Sequence, residues 1–411
     1  MVVARGRRKE EGGRELGPHR VLLARTKRPP PFLWGWSLPF YLLPAVNVQR
    51  RSGTIRSGRI WLGAEVGTNI ALILDEAREM LATDIHIMAG STVLFRVDGQ
   101  LQPFSDELLS ASVARHLSCA LLSETQVASL DEVLDLDFMS VDAKQHRYRI
   151  NVGYFNGSVG CTIRLLPDRP LPLEDLRLPP IVAEMTHRGK GLILITGSTS
   201  QGKTTTMASM VDAINRHSRK HIVTIEDPIE YLHTNGLSLV RQREVGRDTK
   251  TFSTGLRAAL RQDPDVILIG EMRDYDTIET ALRAAETGIL VLSTMHIVSI
   301  EKLMDRLLAY CPHGRENMIR TMTAESLLGV VHQELLPTVD GGKRVAAEVL
   351  IATRAVKNQI RVGTDLQLRS SIQSGVSVGM TTMVSSLDAL LQEGVITEGI
   401  YQNAMKNYQA F

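Results

Sequence analysis

A phosphate-binding loop pattern is the feature of this 411-residue chain that most restricts its fold. Gly197 to Thr204 reads G-S-T-S-Q-G-K-T and satisfies the pattern G-x-x-x-x-G-K-[ST]. A continuous apolar run, Leu192 to Ile195, precedes the loop, and a helix-forming run begins at Thr204. This order matters because the loop cradles phosphate with backbone N–H groups that converge where a buried strand passes into a helix. The pattern therefore predicts an α/β nucleotide-binding fold.

The loop and the first turn of the following helix are the predicted phosphate-binding segment. Lys203 is expected to reach the β- and γ-phosphates of ATP, and the Thr204 hydroxyl is expected to ligate Mg²⁺. The predicted nucleotide-binding residues are Gly197, Ser198, Thr199, Ser200, Gln201, Gly202, Lys203, Thr204 and Thr205.

Three further apolar runs indicate more buried strands of a mainly parallel sheet. They are continuous rather than alternating, as in strands covered on both faces, and helical patterns separate them: Ile222 to Ile225, Val266 to Ile269 and Ile289 to Leu292. Ligands of open α/β sheets bind beyond the carboxyl ends of the strands. Polar residues that follow these runs are therefore the candidates for catalysis.

Acidic residues follow two of these runs. Glu271 comes just past one strand, where a Walker B acid belongs. It is our candidate for the acid that holds the metal-bound water. Glu230 could polarise the attacking water, while Glu226 or Asp227 could bind the metal shell; the alternative for this acidic cluster is a solvated loop. The predicted Mg²⁺ ligands are thus Thr204, Glu271 and Glu226.

A histidine and two aspartates complete the candidates. His296 follows the third run and is a candidate sensor of the γ-phosphate, the alternative being a structural histidine. Asp263 and Asp265 precede their strand, at its far end, and are expected to be capping or surface residues.

Residues 67–166 are predicted to form a separate, small α+β domain. Apolar residues fall at helical spacing from Asn69 to Leu81, and a second helical stretch runs from Ser110 to Leu122. Short β-rich runs surround the second stretch: Asp84 to Met88, Thr92 to Val97, Asp137 to Met139, Tyr148 to Val152 and Val159 to Leu165.

A proline-rich segment, residues 167–188, is predicted to be an extended, semi-rigid linker to the nucleotide-binding domain. Its prolines are Pro167, Pro170, Pro172, Pro179 and Pro180. Residues 189–411 are predicted to be the ATPase domain, mostly helical after Val298 apart from a strand at Val345 to Ile351.

The basic N-terminal extension, residues 1–66, has two open interpretations: a disordered tail, or residues upstream of the true start. We favour the second because an alternative start codon can encode Val66, just before the first periodic helix. Cysteines are too few and too scattered for a disulfide framework, which fits a reducing compartment: Cys119, Cys161 and Cys311.

The ordered motifs resemble those of the secretion ATPases, and most closely the PilT-like branch that retracts type IV pili. The segments that carry the resemblance are TIEDPIEYLH (224–233), QREVGRDT (242–249), LRAALRQDPDVILIGEMRD (256–274), AAETG (284–288) and STMH (293–296). In the front domain TDIHIMAG (83–90) and RVDGQL (96–101) look like the family's PAS-like domain. The resemblance extends from about Thr68 to Asn407.

This resemblance implies a RecA-like P-loop ATPase core joined to a PAS-like domain and assembled as a homohexamer. It implies Glu230 as general base and Glu271 as Walker B acid, with His296 in the family's His box. Arg149 and Arg164 match positions that supply charge to a nucleotide at the subunit boundary.

The resemblance also implies the setting in which the ring works. It implies a cytoplasmic motor at the base of the pilus, peripherally associated with the cytoplasmic membrane. Its expected partners are an inner-membrane platform protein (PilC-like) and a paralogous motor; neither nucleic acid nor zinc is expected.

The chain departs from the family in its phosphate-binding loop and near its C-terminus. The family's loop usually reads G-P-T-G-S-G-K-[ST], so that Ser198, Ser200 and Gln201 differ here. If the position of Ser200 requires positive φ, the loop is strained and turnover is expected to be slow. The segment from Ala355 to Arg361 only loosely follows the family's A-I-R-N-L-I-R retraction motif.

Three alternatives to a retraction motor stay open. A pilus-assembly or type II secretion motor commonly carries a four-cysteine zinc motif, and no Cys-x-x-Cys occurs here. A slow nucleotide-binding subunit that regulates such a motor is supported by the altered loop. A DNA-translocating ATPase is supported only by the basic N-terminal arm. The motifs quoted above, in their order along the chain, fit such an enzyme less well than they fit a secretion ATPase.

Overall fold

The computed structural model describes residues 69–409 of the chain. The predicted N-terminal extension and the proposed start at Val66 lie outside these residues. Across residues 69–409, no helix is both long enough and apolar enough to span a lipid bilayer.

The front part of the described chain is a six-stranded antiparallel sheet with three helices. The sheet order is β3-β2-β1-β6-β5-β4. The strands are β1 (Asp84–Ile87), β2 (Leu94–Val97), β3 (Gln100–Pro103), β4 (Asp135–Val141), β5 (Arg147–Phe155) and β6 (Ser158–Leu165), and the helices are α1 (Ile70–Glu79), α2 (Ala111–Cys119) and α3 (Glu124–Val133). Apolar side chains of α1, α2 and the sheet form one buried cluster that includes Ile73, Leu117 and Ile150.

Local sequence explains where these helices begin. The Ser110 side chain accepts a hydrogen bond from Val113 N at the start of α2. At the start of α3, Ser123 and Gln126 form a reciprocal capping box that satisfies two otherwise unpaired N–H groups. Helix α3 and strand β3 were not predicted, since neither carries a strong apolar period.

The connector, residues 167–188, is not an extended linker throughout. It contains a short 3₁₀ segment, Leu173–Leu176, and helix α4, Pro180–Thr186. Pro180 is tolerated at the first helical position because the N–H that it lacks would be unpaired there anyway. Leu173, Val182 and Met185 are buried in an apolar cluster shared with the ATPase sheet, so the connector packs on that sheet.

The remaining chain forms a seven-stranded sheet in the order β13-β12-β7-β11-β10-β8-β9. Strands β7 to β12 pair in parallel, and β13 is antiparallel to β12. The strands are β7 (Gly191–Thr196), β8 (His221–Glu226), β9 (Leu239–Glu244), β10 (Val266–Ile269), β11 (Leu290–Met295), β12 (Leu327–Pro337) and β13 (Lys343–Ile351). The four strands predicted from apolar runs are the central ones, and their residues are buried on both faces of the sheet.

Helices cover both faces of this sheet. They are α5 (Lys203–His217), α6 (Phe252–Ala259), α7 (Tyr275–Thr287), α8 (Leu303–Leu308), α9 (Glu316–Ser326), α10 (Arg354–Val362), α11 (Leu368–Ser374), α12 (Met383–Gln392) and α13 (Glu398–Gln409), with 3₁₀ segments at Ile300–Lys302, Asp365–Gln367 and Val376–Val378. Helices α4 and α5 pack on one face and α6, α7, α9 and α10 on the other, which confirms the predicted α/β class.

The region after Val298 contains more strand than predicted. Only Val345 to Ile351 was expected to be a strand, yet β12 spans Leu327–Pro337 and pairs with both β7 and β13. Its residues His332 and Gln333 are polar and buried, which hides the strand from an apolar pattern. Strand β9 was missed for a different reason, because only its first two residues are apolar and the polar residues Arg241, Gln242 and Arg243 follow them.

Candidate nucleotide site

The P-loop lies where β7 passes into α5. β7 ends at Thr196, and α5 begins at Lys203 after Gly202, which has a φ of 77°. A Cβ on Gly197 would sit 2.4 Å from the carbonyl oxygen of Gln333 in β12, so only glycine fits there. Among the described residues, none of the backbone N–H groups from Ser198 to Thr205 donates to a backbone carbonyl. The loop therefore presents a row of free N–H groups at a helix N-terminus, which is the arrangement that binds phosphate.

Lys203 reaches across the mouth of this loop. Its ammonium donates to the carbonyl oxygens of Gly197 at 2.9 Å and Ser198 at 2.5 Å, and it lies 3.2 Å from His296 Nδ1. Burial lowers the pKa of Lys203 to about 8, while nearby Glu271 acts in the opposite direction. A bound phosphate would stabilise the charged form further, because an anion beside an ammonium raises its pKa.

His296 links Lys203 to the acid that follows β10. An ammonium only donates hydrogen bonds, so His296 Nδ1 accepts from Lys203 and the ring proton of the neutral histidine lies on Nε2. His296 Nε2 is 3.3 Å from Glu271 Oε2, and Arg273 holds the same oxygen at 2.8 Å. Residues predicted from three separate strand ends therefore meet at one edge of the sheet.

Glu230 lies at the same edge, on the segment that follows β8. Burial raises the pKa of Glu230, and this effect is opposed by Arg164, by a hydrogen bond with Thr204, and by Arg149 and Arg147. Thr205 Oγ1 lies 2.8 Å from the hydroxyl of Tyr231, the next residue along this segment. The first turn of α5 and the acidic segment thus touch each other directly.

The sequence prediction missed Arg147, the residue that joins the front sheet to this acidic segment. The Arg147 side chain is buried and donates to the carbonyl oxygens of Ile229 at 2.5 Å and Glu230 at 3.0 Å. Glu244 of β9 also contributes, since its carboxylate accepts from Ile229 N at 3.1 Å. An arginine at the start of a strand gives no local sign of such a contact.

Replacing Arg147 by alanine is expected to lower ATP turnover by about tenfold. The change removes two charge-assisted hydrogen bonds, each worth about 1.5–3 kcal/mol, and frees the backbone that carries Glu230. Steady-state hydrolysis by purified Arg147→Ala protein measures the effect. Arg169→Ala, at an exposed connector position, is the matched control. Equal turnover in the two variants would show that the contact does not position Glu230.

The two predicted arginines of the front domain lie in ion pairs within the chain. Arg149 Nη2 is 2.7 Å from Asp137 Oδ2, and Arg164 Nε is 2.8 Å from Asp84 Oδ1. The side chains of Arg149 and Arg164 are 41% and 59% exposed. Both arginines are neighbours across β5 and β6, so they present two cations side by side.

Glu226, the predicted metal ligand from this acidic cluster, is buried and already hydrogen-bonded. One of its oxygens accepts from Thr224 Oγ1 at 2.6 Å and from Gln242 Nε2 at 3.1 Å. Burial raises the pKa of Glu226 to about 7 despite these bonds. Asp227, its neighbour, is exposed, and Asp265 accepts from His221 N at 2.8 Å as a structural contact at the far end of the sheet.

The raised pKa of Glu226 predicts a pH dependence of stability. The folded protein holds the Glu226 proton to a higher pH than the unfolded chain does. The resulting contribution to the free energy of unfolding is fully present below about pH 4.5 and is lost as the pH rises towards about 7. Glutamine does not titrate, so Glu226→Gln does not undergo this loss. The melting temperature of the variant minus that of the wild type should therefore increase as the pH is raised from about 5 to about 8. Thermal melts at these pH values test this, with the exposed Glu132→Gln as control. A difference between variant and wild type that does not change with pH would contradict the assignment.

Ser200 has the backbone conformation for which the family pattern uses glycine. Its φ is 64°, in the left-handed region, which L side chains adopt at a cost of about 1 kcal/mol or more. Ser198, Thr199 and Ser200 are all exposed, whereas the Gln201 side chain reaches β12 and accepts a hydrogen bond from Leu335 N. The altered loop therefore keeps positive φ at this position despite the serine, and Gln201 ties the loop to β12.

A parallel sheet with a P-loop, and with acidic and histidine side chains at the ends of the adjacent strands, defines a P-loop nucleoside triphosphatase. The sequence matches the family model described as "Type II/IV secretion system protein" over residues 64–365, and the chain belongs to this family. It is an ATP hydrolase with a RecA-like core, as the motifs predicted.

Two curated relatives show which members of the family the chain is similar to. It is 40% identical over 316 residues to the type IV pilus retraction ATPase PilT of Pseudomonas aeruginosa, covering 77% of this chain and 92% of the relative. It is 38% identical over 324 residues to a twitching motility protein of Neisseria gonorrhoeae, covering 79% of this chain and 87% of the relative. The resemblance to the PilT-like branch is thereby confirmed.

A solved structure supports both the fold and nucleotide binding. The crystal structure of the pilus retraction motor PilT with bound ADP matches with a TM-score of 0.73 and 42% sequence identity, covering 81% of this chain and 95% of that chain. The likeness covers the front sheet together with the ATPase sheet, so both parts of the predicted fold class are confirmed.

Proposed function

We propose that this chain is the subunit of a hexameric motor that hydrolyses ATP to retract a type IV pilus. The observation that carries the proposal is the meeting of Lys203, His296 and Glu271 beside the P-loop, in a chain 40% identical to a retraction ATPase. The proposal of retraction is supported by the similarity to this retraction ATPase, whereas the proposal of ATP hydrolysis is supported by the site itself.

The domain organisation that we propose follows the predicted boundaries. Residues 67–166 form the PAS-like domain, 167–188 the connector and 189–411 the motor core. Separate apolar clusters on either side of Leu166 support this division, with α4 of the connector packed on the motor core.

The nucleotide phosphates would be bound by the loop from Gly197 to Gly202 and by the first turn of α5, including Thr204 and Thr205. Free N–H groups and the Lys203 ammonium match the negative charge of the β- and γ-phosphates. His296 touches Lys203 on one side and Glu271 on the other, which suits a residue that senses the γ-phosphate.

The oxygen donors beside the P-loop fit Mg²⁺, which prefers hydroxyl, carboxylate and phosphate oxygens. Thr204 and Glu271 are the proposed holders of the ion or of its water, and the ion would neutralise charge that develops on the phosphates. Glu226 is a weaker holder, because its carboxyl is buried among Thr224 and Gln242 with a pKa of about 7.

Glu230 is the proposed general base that orients and deprotonates the attacking water. Burial raises its pKa, and a base with a pKa closer to neutrality accepts a proton more readily in the transition state. The backbone carbonyls on which Arg147 is anchored belong to Glu230 itself and to the residue before it, so the front sheet holds the base in place.

Arg149 and Arg164 are proposed to supply positive charge to a nucleotide at the subunit boundary of the ring. Their half-exposed side chains leave the guanidinium groups accessible to a neighbouring subunit. ATP binding would close the front domain of one subunit on the core of the next, and hydrolysis would release it, turning chemical steps into rigid-body motion. This arrangement requires neighbouring subunits, and we propose that the ring is a homohexamer.

The proposed setting is the cytoplasmic face of the membrane at the base of the pilus. There the ring would dock on an inner-membrane platform protein, and a paralogous motor is the second proposed partner at the same base. Neither nucleic acid nor zinc is part of this proposal.

Deletion of the gene in its native host tests the proposed direction of work. A retraction motor predicts surplus surface pili and loss of twitching, restored by wild-type protein and not by Glu230→Gln. Loss of surface pili would instead identify an assembly motor, and unchanged pili would exclude both.

A second candidate function is a slow nucleotide-binding subunit that regulates an authentic motor. The left-handed Ser200 favours it, because strain in the loop can slow turnover while nucleotide still binds. In that case purified wild-type protein binds ADP with little turnover, and Ser200→Gly speeds hydrolysis.

A further inference from the structure

Strand β12 extends past the point where its neighbour β7 ends. Thr196, the last residue of β7, pairs with His332, and β12 then continues for five residues to Pro337 with only β13 beside it. The side of β12 that β7 leaves uncovered faces the P-loop. Backbone groups on that side need other partners, since a buried N–H or C=O without one destabilises the fold.

The P-loop takes the place of the missing strand. Gln333 O packs against Gly197, where a Cβ would come within 2.4 Å. Leu335 N, two residues on and on the same side, donates to the side-chain oxygen of Gln201. Below the loop, Gln333 Nε2 donates to Thr206 Oγ1 of α5 at 2.9 Å.

Strand β12 is held in place by its neighbours and can therefore anchor the P-loop. Leu336, the residue after the Gln201 partner, is buried in an apolar cluster with Met383 and Leu387 of α12. On its other edge β12 is paired with β13 from Gly329 to its end at Pro337. A bond to Leu335 therefore fixes the loop against the sheet and the C-terminal helices together.

The residue that makes this bond directly follows the strained one. Ser200 has a φ of 64°, and without a second restraint the loop would relax towards conformations that L residues prefer. Such relaxation would turn the N–H groups on either side of Ser200 away from the phosphates. Gln201 and Ser200 are both departures from the loop wording of the family, and they are adjacent.

We propose that Gln201 is a positioning residue that holds the P-loop in its phosphate-binding conformation by bonding to Leu335 of β12, and that this bond sets nucleotide affinity in the presence of Ser200. The proposal rests on the proposed nucleotide site, not on the work that the motor performs. Gln201 acts through the loop backbone and need not touch the phosphates itself.

Gln201→Met tests the proposal, because methionine has a similar length and no oxygen to accept from Leu335. Its affinity for a fluorescent ADP analogue is expected to fall by about tenfold, the effect of losing one hydrogen bond and leaving its donor unpaired. KM for ATP should rise by a similar factor with kcat nearly unchanged, since the bond supports binding in ground and transition states alike. The melting temperature without nucleotide should fall by only a few degrees relative to that of Gln373→Met, the same change on the exposed surface of α11, because one backbone N–H loses its partner.

The same change in a Ser200→Gly background separates positioning from a general structural effect. Glycine adopts positive φ readily, so the loss of affinity caused by Gln201→Met should shrink to about twofold there. An affinity unchanged by Gln201→Met, or an equal loss in both backgrounds, overturns the role of Gln201 while leaving nucleotide binding intact. Wild-type protein that binds no ADP overturns the nucleotide site itself, and this role with it.

Discussion

Glu230→Gln is expected to lower ATP turnover by about a thousandfold while leaving nucleotide affinity nearly unchanged. Glutamine keeps the size and the backbone contacts of the side chain but cannot accept a proton from the attacking water. The carbonyl of Glu230 would still accept from Arg147, so the acidic segment stays in place. Steady-state hydrolysis and binding of a fluorescent ATP analogue, measured on the same preparation, give the two quantities.

Glu132→Gln is the matched control for Glu230→Gln. It makes the same chemical change on an exposed side chain of α3, outside the candidate nucleotide site. Turnover in this variant should remain within a few-fold of the wild type, as is usual for a surface site. The assignment of Glu230 as general base is wrong if Glu230→Gln keeps the turnover of the Glu132→Gln control.

Lys203→Ala is expected to weaken nucleotide binding by about a hundredfold and to abolish measurable turnover. The change removes the ammonium that faces the β- and γ-phosphates and leaves the carbonyl oxygens of Gly197 and Ser198 without their donor. It also removes the hydrogen-bond donor to His296, so the link from the P-loop to Glu271 is broken. Affinity for a fluorescent ADP analogue measures the loss.

Lys190→Ala provides the control for Lys203→Ala. Lys190 is exposed and lies just before β7, at the opposite end of the strand from the P-loop. Equal affinities in the two lysine variants would show that phosphate is bound elsewhere.

The central strands of the ATPase sheet could be predicted from sequence because burial on both faces leaves a continuous apolar run. β7, β10 and β11 all have this form, and each run lies within the observed strand or within one residue of it. β12 could not be predicted in this way. Its middle contains His332 and Gln333, which are buried only because Thr196 and Thr206 offer them partners from β7 and α5. Such partners exist only after the chain has folded.

In the candidate site, too, the residues that follow apolar strands could be predicted from sequence, whereas a residue that reaches the site through tertiary packing could not. Gly197, Lys203, Glu271 and His296 stand at ends of apolar strands, so the topology of a parallel sheet brings them together. Arg147 lies on another sheet, and its contact with the acidic segment depends on how the two sheets pack. Neither the hydrophobic periodicity nor a motif of a single segment predicts how two sheets pack.

The altered P-loop illustrates what a departure from a pattern can and cannot reveal. Comparison with the family wording identified Ser200 as a position of possible strain, and its φ of 64° agrees. The compensating bond from Leu335 to Gln201 could not be foreseen, because it requires a strand that the sequence did not reveal. Substitutions that break a local rule are best explained together with their neighbours in space.

The most direct test of a hexameric ATPase motor is steady-state hydrolysis of ATP by purified protein, with the mass of the active fraction determined by light scattering. We predict Mg²⁺-dependent turnover that coincides with the mass of six chains and is lost in Glu271→Ala, which should still bind ATP. Full activity in Glu271→Ala, or tight nucleotide binding without turnover in the wild-type ring, would contradict the account.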